Sequence, residues 1–97
     1  MKLTLLSDPE ILAIVNPMMD NLMAGSTAID HAQHTRDFSG RMKAIVTPEH
    51  LTYVCKDYQS KWGFFGHREF VAIFRRPDSV AVIWKQFCTQ QTGEFVA

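Results

Sequence analysis

Apolar residues recur at helical spacing from Ile11 onward. Ile11, Val15, Met18 and Leu22, with Leu12, Met19 and Met23 beside them, make a broad apolar face that predicts a first helix reaching Gly25. Ser7 and Glu10 stand at capping-box spacing ahead of it, with Pro9 where a missing backbone N–H does least harm. Pro17 lies inside the pattern, so a kink is expected near Ala13 to Pro17, or a break with Asn16 capping a second piece. Ala24-Gly25-Ser26 reads as the turn, after which Thr27 and Asp30 cap a polar second helix over Thr27 to Phe38, placed on the rim of the core. Arg41 to Val46 offers a short helical turn. Thr47-Pro48-Glu49 then opens a third helix, in which Leu51, Val54, Cys55, Tyr58 and Trp62 form one stripe and Gly63 the C-terminal cap.

Beyond Gly63 the apolar period falls from 3.6 to 2 and β-branched and aromatic residues replace helix formers. One strand is expected from Arg68 to Arg75 and a second from Val80 to Thr89, joined by the Arg76-Pro77-Asp78-Ser79 turn. In the second, Val80, Val82, Trp84, Gln86 and Cys88 share one face, and Ala81, Ile83, Lys85 and Phe87 the other. Strict alternation in the first strand would put Phe70 and Phe74 with Trp84, and Val71 and Ile73 with Phe87. Gln91-Thr92-Gly93 would turn the chain into a short third strand from Glu94. Three helices followed by an antiparallel sheet of few strands is an α+β pattern, and residues 1–97 are read as a single domain of that class.

Charge narrows the partners. Ten Lys and Arg balance ten Asp and Glu, so the basic footprint of a nucleic-acid or anionic-membrane binder is missing and neither partner is expected. No apolar run reaches the roughly 18 residues of a membrane span. Asp8, Pro9 and Glu10 cut the opening apolar segment short of an export leader. The two cysteines, Cys55 and Cys88, lack metal or Cys-x-x-Cys spacing and read as reduced core thiols. A cytoplasmic protein without a metal or other cofactor is the expectation.

The order of an apolar helix ending in Ala24-Gly25, a polar helix, the segment Arg41-Met42-Lys43-Ala44-Ile45-Val46-Thr47-Pro48-Glu49-His50-Leu51, a helix ending at Trp62-Gly63 and then an antiparallel sheet resembles the nuclear transport factor 2-like superfamily. Within that superfamily, which has the cystatin-like cone fold, the chain looks most like small bacterial domains of unknown function. The resemblance implies three N-terminal helices on a curved sheet. It also implies a hollow between sheet and helices that holds a ligand in many members and performs acid–base chemistry in a few. No catalytic motif of those enzymes is matched residue by residue, so no catalytic residue is transferred.

Candidate site residues follow from the side chains. On the polar second helix, His34 can meet Asp30 or Asp37, a pairing that suits a general base; the alternative is an ordinary solvated helix face. Asp30, His34 and Asp37 make only a poor set of metal ligands. Tyr58, Trp62 and Trp84 are candidates for the wall of an apolar pocket, with simple core packing as the alternative, whereas Tyr53 falls off its helix stripe and is expected at the surface. Arg68, Arg75 and Arg76 read as a charged edge of the hairpin. The leading expectation is a non-enzymatic domain that forms a homodimer through the sheet face its helices leave bare. The alternative is a binder of a small apolar molecule, or an isomerase-like or dehydratase-like acid–base enzyme, using the pocket.

Overall fold

Ser7 begins the first helix by a reciprocal bond with Glu10. Its Oγ accepts from the Glu10 backbone N–H, while the Glu10 carboxylate accepts from the Ser7 backbone N–H at 3.0 Å. The Ser7 backbone N–H, and its hydroxyl at 2.8 Å, both donate to the Glu10 carboxylate and hold its pKa below the ordinary value. The computed structural model describes residues 2–97. Among them, four α-helices precede a three-stranded antiparallel sheet: α1 (Asp8–Ala28), α2 (His31–His34), α3 (Gly40–Ile45), α4 (Pro48–Trp62), β1 (Phe65–Arg75), β2 (Val80–Cys88) and β3 (Gln91–Val96). The strand order is β1-β2-β3, and the fold is α+β with the helices packed on the sheet. No helix among the described residues is long and apolar enough to cross a membrane.

The break, one of the two outcomes expected at Pro17, does not occur: the helix runs unbroken through it, so Asn16 caps nothing. The helix also differs from its expected form by continuing through Ala24-Gly25-Ser26 to Ala28. The reversal comes at Ile29, whose φ of 52° is left-handed and whose side chain packs against the core cluster. Gly25 is needed for proximity: a Cβ there would stand 2.6 Å from the His34 backbone nitrogen and 2.7 Å from its Cα. The polar second helix shrinks accordingly to one turn, His31–His34, capped by Asp30, whose Oδ1 accepts from the Gln33 N–H at 3.1 Å. Thr27 belongs to α1.

α4 keeps its expected start and stop, but its buried stripe is narrower than expected. Thr47 Oγ1 accepts from His50 N–H at 3.1 Å, Pro48 opens the first turn, and Leu51, Cys55 and Tyr58 are buried on one side, while Val54 and Trp62 of the expected stripe are exposed. They form the core cluster with Ile29, Val46 and Phe65 around them. Tyr58 stacks on Phe65 with ring centroids 4.7 Å apart, and its hydroxyl meets Ser26 Oγ at 2.8 Å. Gln59 adds two bonds from its Nε2 to the carbonyls of Ser26, which also accepts the Ile29 N–H, and Thr27 at the end of α1. Gly63, at φ 79°, closes α4 where the β2–β3 turn presses in: Thr89 and Gln90 donate their backbone N–H groups to the carbonyls of Phe64 and Trp62.

Two irregularities in β1 decide which residues look toward the helices. The register runs Phe65↔Cys88, Arg68↔Gln86, Phe70↔Trp84, Ala72↔Ile83 and Ile73↔Val82, with shifts between Phe65 and Arg68 and between Phe70 and Ala72. The second shift, at Val71, reverses the alternation. Phe65, Arg68, Phe70 and Ile73 therefore share the helix-facing side with Trp84, while Phe74, opposite Ala81, moves to the outer side. The expected grouping of Phe74 with Trp84 and of Ile73 with Phe87 is corrected by this one extra residue. β3 likewise starts at Gln91 rather than Glu94, because Thr89-Gln90 makes the turn.

Of the expected charged edge, Arg76 is exposed as expected, whereas Arg68 and Arg75 tie the layers together. Arg68 Nη2 bonds Asp20 Oδ1 at 2.7 Å, and Arg75 bonds Asp8 Oδ1 and the carbonyls of Thr4 and Leu6. Both join β1 to the N-terminal layer.

Candidate functional site

Between α1 and the helix-facing side of the sheet the layers stay apart. Of the apolar residues of α1 only Ile11 is fully enclosed, at 0% exposure. Met19, Leu22 and Met23 instead form one wall of a cleft of about 610 Å³. Phe65, Val82, Trp84, Gln86, Cys88, Phe95 and Val96 supply the sheet wall, and Trp62 at the end of α4 meets Phe95 with centroids 5.2 Å apart. A second lobe of about 340 Å³ continues along α1 past Val15 and Met18 to Phe38 and Asp37. The two lobes share Met19, Leu22, Val82 and Trp84, so Trp84 stands at the waist of a single trough.

No charged side chain lines the larger lobe. Burial pushes the Cys88 thiol upward, which keeps it neutral, and both cysteines are free. The polar side chain in that wall is Gln86, only 2% exposed. Its Nε2 donates to the carbonyls of Gly66, His67 and Phe87 at 3.0, 3.2 and 2.9 Å, tying down the first irregularity of β1, while its Oε1 is buried without a partner. Directly across the ladder, Arg68 is held by Asp20, its guanidinium carbon 5.6 Å from the Trp84 ring centre, and its Nε is likewise buried and unpartnered.

The residues singled out from sequence are dispersed. Trp62 and Trp84 line the larger lobe, and Tyr58 lies in the core, bonded to Ser26. Tyr53 is exposed. His34 and Asp37 do not pair with each other: His34 Nδ1 donates to the Leu22 carbonyl at 3.0 Å, and Asp37 accepts from Arg36 at 2.9 Å, a bond that raises the Arg36 value. His31 Nε2 similarly donates to the Val46 carbonyl at 2.7 Å. The polar helix thus spends its imidazoles on anchoring α2 to its neighbours. Among the described residues no three His, Cys, Asp or Glu side chains gather as a metal site.

Gln86 is the site residue that sequence reading passed over. Its signal was present as the one amide in the buried alternation Val80, Val82, Trp84, Gln86, Cys88. Comparison with protein-family models, curated proteins and solved structures found no match to this chain.

Proposed function

We propose that this chain is a non-enzymatic binding domain that holds a small apolar molecule in the trough between α1 and the sheet. The carrying observation is the lobe of about 610 Å³ lined by no charged side chain, within the range of roughly 300–1,000 Å³ typical of small-molecule sites. Its walls combine aromatic plates on the sheet and α4 with pliable methionines on α1. An acid–base role is disfavoured because His34 and Asp37 are each engaged elsewhere. The helices-on-sheet arrangement agrees with a nuclear transport factor 2-like domain, and two free thiols suit a cytoplasmic setting.

Both tryptophans of the chain line the lobe, so their emission reports its occupancy. Titration with butylbenzene is expected to be saturable at one molecule per chain. The expected Kd is on the order of tens of micromolar, which corresponds to about 0.6 kcal/mol per heavy atom. Leu22→Trp, which fills the waist, is expected to weaken binding at least ~10-fold while leaving the circular dichroism spectrum in place. An emission change that never saturates below the solubility limit would remove this reading.

A second observation favours self-association through the outer sheet face. The chain exposes 6435 Å², whereas a compact monomer of its mass exposes about 5,650 Å². The excess of roughly 800 Å² equals what each partner buries in an ordinary stable dimer. The radius of gyration of 14.4 Å also exceeds the roughly 12.5 Å expected of a compact domain of this length. On the outer face Val71 and Phe74 are 51% and 58% exposed beside Ala81, Ile83 and Phe87, and the Lys85–Glu94 ion pair and His67–Glu69 cross the same face. A second copy, offering the same apolar residues and balanced charges about a two-fold axis, is the occupant this face fits. Light scattering at about 50 µM is expected to give a dimer mass, and Phe74→Glu a monomer with an unchanged melting profile, as burying an unpaired carboxylate in the interface is costly. A wild-type mass of one chain at that concentration would rule the dimer out.

A further inference from the structure

The trough has a length and a form as well as a volume. Its sheet wall follows one strand: Val80, Val82, Trp84, Gln86 and Cys88, the successive helix-facing residues of β2, each line one lobe or both. Eight steps along a strand, at about 3.3 Å each, make that wall roughly 26 Å long. The facing wall is a single stripe of α1, Val15, Met18, Met19, Leu22 and Met23, at i, i+3, i+4, i+7 and i+8. It covers about 12 Å at roughly 1.5 Å per residue, and Trp62 carries it on in the larger lobe, Leu3 and Phe38 in the second. At the second lobe β2 alone supplies the sheet side, so that end is one strand wide.

Resting on the reading of the trough as a small-molecule site, we propose that its ligand is an unbranched aliphatic chain of about 12 to 16 carbons, extended along β2 through both lobes. A carbon zigzag with bonds of about 1.5 Å advances roughly 1.3 Å per carbon, so such a chain spans about 15–20 Å of the wall. A compact molecule of the same carbon count fills the larger lobe and leaves the apolar walls of the second, about 340 Å³, in water; a chain covers both. At the waist the passage lies between Met19 and Leu22 on one side and Val82 and Trp84 on the other, and the unbranched Met19 is the side chain that yields to a tail one methylene thick. Among the described residues the only charged side chain on either lobe is Asp37, which already holds Arg36. The trough therefore takes a tail and offers no free counter-ion to a head group, and the polar end of the ligand stays in solvent at the mouth.

A series of n-alkyl maltosides from hexyl to tetradecyl, each below its micelle-forming concentration, tests this on the wild-type chain by tryptophan emission; the neutral sugar head is too large to enter. Affinity is expected to rise about 3- to 4-fold per methylene, the worth of one buried CH₂, and to go on rising past decyl. Dodecyl maltoside is expected to bind about 10-fold more tightly than 6-cyclohexylhexyl maltoside, which carries the same number of carbons in a shorter and wider tail. Val15→Phe, which narrows the second lobe alone, is expected to remove the gain beyond decyl and to leave octyl maltoside bound as by the wild type. Its folding is checked by circular dichroism, and the wild-type comparisons stand without it. No binding of the maltosides, a rise that stops at or before decyl, equal affinity for the two isomeric tails, or a gain that persists in folded Val15→Phe each overturns the extended chain. Butylbenzene then separates the two readings: if it still binds, the apolar site stands without this ligand class, and if it does not, the site falls as well.

Discussion

Tyr58→Ala is expected to lower the unfolding free energy by about 3–5 kcal/mol, a large part of what a domain of this size possesses. The reason is the position of the ring. It lies between α1, α4 and β1, stacked on Phe65 and flanked by Leu51 and Cys55, while its hydroxyl bonds Ser26 on α1. Removing it opens a cavity, unstacks Phe65 and leaves the buried Ser26 hydroxyl with only its weak 3.4 Å contact to the Cys55 sulfur. Tyr58→Phe keeps the ring and loses the bond, so a smaller cost of about 1 kcal/mol is expected. Urea denaturation followed by circular dichroism separates the two. Similar midpoints for both variants would mean that the hydroxyl, and not the ring, holds these elements together.

Gly25→Ala is the second large effect expected, and its sign opposes intrinsic helix preference. In an exposed helix the change would stabilise by roughly 1 kcal/mol. Here the added methyl group meets backbone atoms of His34, not the yielding tip of a side chain, so α1 and α2 must move apart. A net loss of about 1–3 kcal/mol is expected. The movement also lengthens the His34–Leu22 bond of 3.0 Å and the bond from Asn21 Nδ2 to the Gln33 carbonyl at 2.7 Å. Gly40→Ala provides the control: nothing lies within 4 Å of its would-be Cβ at the start of α3. A gain of roughly 0.5–1 kcal/mol is expected there. Thermal unfolding of the two variants side by side should give shifts of opposite sign; two shifts of the same sign would show that the α1–α2 approach is not tight in solution.

These two positions also show where local reading stops. Ala24-Gly25-Ser26 has the composition of a turn, and Gly25 the conformational freedom of a C-terminal cap. Its use is different: a glycine without a side chain lets another backbone cross against the middle of a helix turn. That requirement comes from residues nine positions away, and Ile29 takes the left-handed position because its side chain is drawn into the cluster with Leu51, Cys55 and Tyr58. The candidate site failed in the same manner. His34 and Asp37 have suitable spacing for a pair on a continuous helix, but α2 is a single turn, and each finds another partner.

What the sequence by itself determined was everything governed by near neighbours. The Ser7–Glu10 box, the Thr47-Pro48 start of α4, its Leu51-Cys55-Tyr58 face, the Gly63 stop and the change to period 2 are each written within a few residues, and together they specify an α+β chain. The tertiary structure alone decided the rest. It set the extension of α1 past Gly25, the reversal of faces at Val71 and the unpartnered Gln86 oxygen in the wall of the trough. Capping and periodicity are short-range steric and hydrogen-bonding effects, so they survive in a linear reading. Register, helix approach and the emptiness of an interlayer space depend on which distant surfaces meet, and a one-residue bulge is enough to exchange the inside of a sheet for its outside.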